Sequence, residues 1–167
     1  PNHKNTELFK NHLNQILLKY SKLYPIRLDF HFKENTTKTQ ENAISDMYLL
    51  YRSLKSNHVG FVGMCFSLEY STEERLHIHS IFYANGQKHQ HFKSLLGMIQ
   101  ETWESRISDS GNIHCCNFNK NYKYDALIKF SYQDEEAIKH MNAHVFPYMA
   151  KQEQKESVSI MNQIHCS

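Results

Sequence analysis

The order of hydrophobic patterns along the chain predicts an α+β domain built on an antiparallel sheet. Apolar and polar residues alternate, as in half-buried strands, at 26–33, at 59–70 and in the segment that begins at Leu76. Segments with apolar residues at helical spacing separate these strands, at 39–55 and at 88–107. With a further strand after the second helix, the order is that of a split βαβ core, which is ferredoxin-like or RRM-like. We expect both helices to cover one face of the sheet and to leave the other face open.

The composition favours a folded domain. Of the 167 residues, 40% are hydrophobic and 13% are aromatic, which indicates a globular protein rather than a disordered chain. A net charge of only +2 means that nucleic-acid binding would depend on a local basic surface. Four cysteines without CxxC spacing, and no secretory signal or long apolar span, predict reduced thiols and a cytoplasmic protein without a membrane segment. Because the chain begins without Met, we expect it to be a domain of a longer protein.

An N-terminal helix is predicted at 6–22 and should end before Tyr24-Pro25. Its apolar residues fall on one helical stripe, formed by Phe9, Leu13, Ile16, Leu17 and Tyr20. The strand at 26–33 follows, and the face opposite its apolar residues carries Arg27, Asp29 and His31. Thr39 is the expected N-cap of the next helix.

The second and third strands are predicted to form a hairpin, because only the short polar segment Ser71–Arg75 joins them. One face of the second strand carries Val62, Met64, Phe66, Leu68 and Tyr70. The opposite face carries Phe61, Gly63, Cys65, Ser67 and Glu69.

Two turns and two short strands are expected in the later part of the chain. Asn85-Gly86 and Ser108–Asn112 have the composition of turns. The strands are expected at Ile113–Phe118 and Ala126–Tyr132, with a loop between them.

A last helix should run to about His144, where Pro147 either kinks it or starts a new helix. Residues 152–167 are polar and are expected to be frayed. We therefore place the domain at 1–155 and a polar C-terminal tail at 156–167.

The HxH motif of His77 and His79 is a candidate metal site. Both side chains share one face of a strand, and their spacing lets two imidazoles reach one ion. If Glu69 pairs with His77 across the hairpin, its carboxylate lies beside both rings. Two imidazoles and a carboxylate suit Mn²⁺, Mg²⁺ or Zn²⁺ and leave positions for substrate oxygens. Asp29 and His31 reach the same face, so either is an alternative third ligand, and a set of solvated polar residues is the alternative to any metal site.

Tyr148 and Lys151 form a second candidate site. On a helix these two residues and His144 share one face. A tyrosine beside an ammonium group and near a divalent ion is a candidate nucleophile for phosphodiester transfer, and Lys151 would offset the developing negative charge. The alternative is that Tyr148 is an ordinary interfacial aromatic residue, one of 10 tyrosines in the chain.

Three stretches, taken in order, resemble the HUH endonuclease superfamily of rolling-circle replication initiators and relaxases. They are Arg27-Leu28-Asp29-Phe30-His31, Leu76-His77-Ile78-His79 and Phe146-Pro147-Tyr148-Met149-Ala150-Lys151. They are most similar to inovirus-type phage and prophage replication initiators, over residues 25–155. The resemblance implies that His77 and His79 are the paired metal ligands, Glu69 the acidic ligand, Tyr148 the nucleophile and Lys151 its accompanying lysine.

The chain departs from the family pattern at Pro147, which directly precedes the matched tyrosine. A second tyrosine in the same helix is absent from the sequence, which is typical of the single-tyrosine initiators. The sequence also contains no Gly-rich phosphate-binding motif of an ATPase, so we expect any helicase to be a separate host or element protein.

The resemblance implies site-specific nicking and rejoining of single-stranded DNA through a covalent 5′-phosphotyrosine, which initiates rolling-circle replication of a phage or mobile element. It implies a Mn²⁺ or Mg²⁺ cofactor, a single-stranded or hairpin origin as the DNA partner, and a bacterial cytoplasm as the location. Candidate contacts to the DNA backbone and bases are Lys88, Lys93, Lys120, Lys123, Lys129, Tyr122 and Tyr124.

Two other functions are compatible with the residues. An RRM-like module would bind single-stranded nucleic acid without cutting it, but such a module stacks bases on aromatic side chains, whereas the predicted open face carries His, Asp and Glu. A zinc-dependent hydrolase or structural zinc site would use residues that lack regular ligand spacing, namely His114, Cys115, His165 and Cys166.

Overall fold

The computed structural model describes residues 3–58, 60–88, 91–117, 129–151 and 164–167. The helices are α1 (His3–Leu17), α2 (Gln40–Asn57), α3 (Phe92–Arg106), α4 (Glu135–His140) and α5 (Phe146–Ala150). A π-helical segment, Met141–Val145, joins α4 to α5. The strands are β1 (Lys22–Phe32), β2 (Phe61–Tyr70), β3 (Leu76–Asn85), β4 (Ser110–Cys115), β5 (Phe130–Ser131) and β6 (Ile164–Cys166).

The strands form one antiparallel sheet in the order β4-β1-β3-β2-β6, and β5 pairs with the start of β1. Strands β1 and β2 both run antiparallel to β3, which lies between them. Helix α2 connects β1 to β2, and α3 connects β3 to β4. This is the predicted split βαβ, ferredoxin-like topology, and the predicted α+β class is confirmed.

Helices α2 and α3 pack on the predicted apolar face of the sheet. The centre of this core is Trp103 of α3, whose ring centroid lies 4.7 Å from that of Phe30 in β1. The indole Nε1 of Trp103 donates a hydrogen bond to the carbonyl oxygen of Gly111 at 2.9 Å, which ties α3 to β4.

Thr39 caps α2 as predicted, because its hydroxyl accepts a hydrogen bond from the backbone N–H of Asn42 at 3.0 Å.

The opposite face of the sheet is covered over part of its area. At one end its residues are apolar or uncharged, as at Leu23, Cys65 and Tyr83, and they form a second core with α1, the π-helical segment and α5. At the other end the same face carries the polar residues of the HxH strand and its neighbours. Within the described residues, the face predicted to be open is therefore covered at its apolar end.

A β-bulge reverses the predicted orientation of the first residues of β2. The pairing register with β3 shifts between Phe61 and Gly63. As a result Phe61 packs in the core beneath α2 and α3, and Val62 packs against the second core. The predicted assignment of these two side chains was wrong because simple alternation does not allow for an inserted residue.

Strand β1 begins at Lys22, earlier than predicted, and contains Pro25. The carbonyl oxygen of Pro25 accepts a hydrogen bond from Asn117 Nδ2 at 2.8 Å. Asn117 Oδ1 also accepts from the backbone N–H of Arg27 at 2.7 Å. The side-chain amide of Asn117 thus makes the hydrogen bonds that a neighbouring strand would otherwise make on this side of β1. Pro25 itself has no backbone N–H to donate.

The remaining boundaries differ in places from the prediction. Residues 110–112, predicted to be a turn, belong to β4, and the turn before them places Asp109 at a φ of 58°. Ile164–Cys166 pairs with β2 and is not frayed, whereas the rest of the predicted tail, 152–163, lies outside the described residues.

Two more of the predicted segments can be compared only in part. The predicted loop before β5 and the start of that strand lie outside the described residues. Pro147 lies in the first turn of α5, so it starts a new helix. Within the described ranges, no helix is both long enough and apolar enough to cross a membrane.

Gly111→Ala should destabilise the protein. A Cβ atom at Gly111 would lie 2.5 Å from the carbonyl oxygen of His31, so the backbone of β1 or β4 must shift. We expect the free energy of unfolding to fall by about 1–3 kcal/mol, measured by urea denaturation. The matched control is Gly97→Ala in α3, where no atom lies within 4 Å and the helix propensity of Ala should stabilise by about 0.5–1 kcal/mol. Equal effects at the two positions would contradict the close approach at Gly111.

Candidate metal centre and tyrosine

The register of three adjacent strands brings the candidate ligands together. Glu69 of β2 lies directly opposite His77 of β3, as predicted from the short hairpin. On the other side of β3, Asp29 lies opposite His79, and His31 lies opposite His77. All five side chains are on the polar end of the second sheet face.

Glu69, His77 and His79 form a compact set of candidate metal ligands. Oε1 of Glu69 lies 2.6 Å from Nε2 of His77 and also contacts Nε2 of His79. The three ligand atoms all lie within 4.8 Å of one another. Glu69 is only 2% exposed and His79 only 3%, so water screens the cluster poorly. The cluster can hold a metal ion through two nitrogen atoms and one oxygen atom.

The hydrogen bonding of His79 supports this interpretation. Its Nδ1 lies 2.6 Å from Oδ1 of Asp29, so a neutral ring carries its proton on Nδ1 and donates it to that carboxylate. The lone pair on Nε2 then faces Glu69 within the ligand cluster. A carboxylate that accepts from one ring nitrogen, and so leaves the other nitrogen to act as a ligand, is the usual partner of a metal-binding histidine, so the donor set is compatible with a bound cation.

Asp29 is itself held by a buried arginine. Nη1 of Arg27 lies 2.5 Å from Oδ1 of Asp29, and Arg27 is 5% exposed. Burial opposes ionisation of Asp29, but the hydrogen bond with His79 and the charge of Arg27 outweigh it and hold the pKa of Asp29 well below its usual range. Nη2 of Arg27 also lies 3.0 Å from Nδ1 of His79. Because a guanidinium only donates, the bond that Nδ1 makes is the shorter one to Asp29.

The two alternative third ligands occupy other positions. Asp29 contacts the Nδ1 side of His79, away from the nitrogen that meets Glu69. His31 is exposed, and its ring centroid lies 5.4 Å from that of His77. Among the residues that the structure describes, the only group of three or more candidate ligands within 4.8 Å contains Glu69 and neither of these residues.

Helix α5 places Tyr148 beside the candidate metal ligands. The ring centroids of Tyr148 and His79 are 5.6 Å apart, and Tyr148 is 42% exposed. Burial and the nearby carboxylate of Asp29 raise the pKa of the Tyr148 phenol. Nζ of Lys151 lies 4.5 Å from the ring centroid of Tyr148, and Cζ of Arg27 lies 5.9 Å from it. The phenol is therefore accessible, protonated at neutral pH and flanked by two cations.

The position of α5 depends on a contact that the sequence did not reveal. The hydroxyl of Ser67 in β2 donates a hydrogen bond to the carbonyl oxygen of Met149 at 2.9 Å, and both residues are buried. Phe146 and Met149 are fully buried in the second core. Tyr148, between them in sequence, faces away from this core toward His79. Ser67 was assigned to the correct sheet face, but nothing in the sequence marks its partner.

Two predictions about this helix need correction. Lys151 is the C-cap of α5 with an extended backbone, so it lies beyond the helix and reaches Tyr148 from there. His144 lies in the π-helical segment, and its ring centroid is 5.5 Å from that of His140. The prediction that His144 shares a face with Tyr148 and Lys151 assumed α-helical spacing, and the sequence carries no clear signal for the π-helical hydrogen bonding.

The residues considered for a separate zinc site do not form one common site. His114 and Cys115 lie in β4, and His165 and Cys166 lie in β6. These strands are at opposite ends of the sheet order, with three strands between them.

Three of the lysines predicted to contact DNA are described. Lys88 and Lys93 are exposed. Lys129 donates a hydrogen bond to the carbonyl oxygen of Gly86 at 2.9 Å. The other candidate contacts lie outside the described residues, and they are Lys120, Lys123, Tyr122 and Tyr124.

The site thus combines a candidate divalent-cation centre, an accessible phenol and two flanking cations. These groups suit a reaction in which negative charge develops at an oxyanion. Comparison of the chain with protein-family models, with curated proteins and with solved structures found no match. The functional interpretation therefore depends on the geometry of this site and on the sequence motifs.

Glu69→Ala should weaken Mn²⁺ binding, because it removes the only carboxylate of the ligand cluster. Loss of an orienting partner outside the ligand set typically costs 10–100-fold in metal affinity, so loss of Glu69 should raise the Kd by at least about 100-fold. The measurement is titration with Mn²⁺ followed by electron paramagnetic resonance. His31→Ala is the matched control and should leave the Kd unchanged. A normal Kd in Glu69→Ala together with a raised Kd in His31→Ala would transfer the ligand role to His31.

Asp29→Asn tests the orienting role of the second carboxylate. The amide oxygen can still accept from Nδ1 of His79, but the negative charge opposite Arg27 is lost. We expect the Kd for Mn²⁺ to rise by about 10-fold and the free energy of unfolding to fall by about 3 kcal/mol, because a buried arginine loses its counter-charge. Mn²⁺ titration and urea denaturation measure the two effects. Wild-type values in both would show that Asp29 neither orients His79 nor neutralises Arg27.

Proposed function

We propose that the protein is a metal-dependent endonuclease of the HUH type that nicks and rejoins single-stranded DNA. The observation that carries the proposal is the position of Tyr148, whose ring lies 5.6 Å from that of the candidate ligand His79. The ammonium group of Lys151 lies over the same ring. The proposed nucleophile, the candidate metal ligands and a cationic side chain thus lie near one another, which supports a role in phosphodiester transfer.

The cofactor in this proposal is Mn²⁺ or Mg²⁺, held by Glu69, His77 and His79. A divalent ion bound there would polarise the scissile phosphate and offset its charge. The arrangement suits either ion when the substrate supplies the remaining oxygen ligands. Asp29, itself paired with Arg27, holds His79 so that its Nε2 faces Glu69, where it would serve as a ligand.

Tyr148 is the proposed nucleophile. Its phenol loses a proton, and its oxygen forms a bond to phosphorus while the bond from phosphorus to the 3′ oxygen breaks. The departing oxygen takes the electron pair and acquires a proton. The products are a 5′-phosphotyrosine on the protein and a free 3′-hydroxyl on the DNA. Attack of a 3′-hydroxyl on the phosphotyrosine reverses these bond changes and rejoins the strand.

The environment of Tyr148 suits this step. Because burial and Asp29 raise the pKa of the phenol, Tyr148 is protonated in the absence of substrate and would lose its proton during the attack. Lys151 and Arg27 flank the ring and favour the negative charge that develops as the proton leaves. The charge of Arg27 lowers the pKa of the Tyr148 phenol, against the larger effects of burial and of Asp29.

The proposed substrate is a single-stranded or hairpin DNA at a replication origin of a phage or mobile element in a bacterial cytoplasm. The exposed lysines Lys88 and Lys93 are candidates for contacts to its backbone. A separate host or element helicase would unwind the duplex. The free 3′-hydroxyl left by nicking would then prime rolling-circle synthesis.

Tyr148→Phe tests the nucleophile. The wild-type protein, incubated with end-labelled origin-type single strands and Mn²⁺, should form an adduct that survives a denaturing gel. The variant lacks the attacking oxygen and should form no adduct, while it binds Mn²⁺ normally because the ligand cluster is intact. The matched control is Tyr132→Phe, which removes the hydroxyl of another exposed tyrosine and should leave the adduct yield unchanged.

An adduct that persists in Tyr148→Phe would assign the nucleophile to another residue. Strand binding that needs no metal ion, with no adduct on any strand tried, would overturn the nickase and favour the RRM-like binding module. Release of cleaved DNA without a covalent adduct would instead indicate a hydrolase.

A further inference from the structure

Strand β6 places Cys166 directly opposite Cys65 of β2. The neighbouring pair, Met64 and Ser167, exchanges two backbone hydrogen bonds of 2.9 and 2.7 Å. Because hydrogen-bonded and non-hydrogen-bonded pairs alternate in an antiparallel ladder, the cysteines occupy a non-hydrogen-bonded position. The Cα atoms of such pairs are about 4.5 Å apart, which is within the range that a disulfide can span.

The two thiols belong to the same buried region. Both cysteines are reduced, and both pack with Tyr83 in the core between the sheet and α1. Cys65 is fully buried, whereas Cys166 is partly exposed in β6, which lies next to β2 in the sheet. Burial and contact with the Cys166 side chain raise the pKa of the Cys65 thiol. One thiol is thus accessible to a reagent, and its partner lies beside it.

We propose that Cys65 and Cys166 form a reversible disulfide that fastens the C-terminal strand to the sheet. The oxidant class is a small-molecule disulfide such as oxidised glutathione. The thiolate of Cys166 attacks one sulfur of the oxidant and releases a first thiol. The thiolate of Cys65 then attacks the mixed disulfide at the sulfur of Cys166 and releases a second thiol. The protein loses two electrons and two protons, and the oxidant is reduced to two thiols.

The disulfide would anchor β6, which is joined to β2 by only a short stretch of backbone pairing. Ile164–Cys166 is three residues long, and a hydrogen bond of 2.9 Å from Nε2 of His12 to the carbonyl oxygen of Ser167 adds one further contact. Ile164 pairs with Ser67, the residue whose hydroxyl holds α5. Oxidation would therefore stiffen the edge of the sheet next to the α5 contact. The inference stands independently of the proposed nickase activity.

The test is oxidation of the full chain with oxidised glutathione, followed by alkylation of free thiols, proteolysis and mass spectrometry. We expect a peptide pair that joins Cys65 to Cys166, with two of the four cysteines alkylated. The linkage closes a loop of about 100 residues, so the Tm of the oxidised protein should rise by about 5–10 °C, and a reducing agent should reverse the rise.

The main control is Cys166→Ser, since this position is partly exposed and tolerates a hydroxyl. It should give three alkylated cysteines, no linked peptide and no oxidant-dependent change in Tm. A second control, the Cys115→Ser/Cys116→Ser double variant, should form the linkage as the wild type does. Four alkylated cysteines after prolonged oxidation, or a linkage through Cys115 or Cys116, would overturn the proposal.

Discussion

The buried carboxylate of Glu69 imposes the main physical constraint on the polar end of the sheet. A carboxylate removed from water costs several kcal/mol unless charges or hydrogen-bond donors compensate it. Here the pairing register of β2 and β3 places the rings of His77 and His79 beside the same oxygen atom, where a donated proton or a bound cation can supply the compensation. Asp29 and Arg27 complete the arrangement behind His79. The pairing register of the sheet therefore fixes the relative positions of the candidate ligands.

The second sheet face serves two purposes at its two ends. Its apolar end holds α1 and α5 by ordinary core packing, and its polar end carries the ionisable cluster. Helix α5 lies at the boundary, where Met149 faces the core while Tyr148 faces His79. The same docking that stabilises the fold therefore positions the phenol, and the hydrogen bond from Ser67 to the backbone of Met149 fixes it without using a side chain of α5.

Features set by local geometry could be predicted from the sequence, and features set by distant contacts could not. Strand alternation and a short turn were enough to put Glu69 beside His77, because both effects act over a few residues. The backbone N–H of Arg27 and the hydroxyl of Ser67 donate to partners 90 and 82 residues away, so no pattern in the chain indicates these partners. The same holds for β6, a three-residue strand that pairs with the distant strand β2. The predicted orientation of Phe61 was wrong for another reason. A β-bulge inserts one residue into β2, and strict alternation of side chains cannot allow for it.

The ligand cluster and the tyrosine also differ in how they depend on folding. Glu69 and His77 are eight residues apart in one hairpin, whereas the contact that holds α5 spans 82 residues. The entropy lost on closing a loop grows with its length, and long-range contacts form late in folding. A chain with only its hairpin in place would hold the ligands without the phenol beside them. The position of Tyr148 beside the candidate ligands is thus a property of the completed fold, so under the proposed function a partly folded chain would lack the nucleophile beside its metal centre.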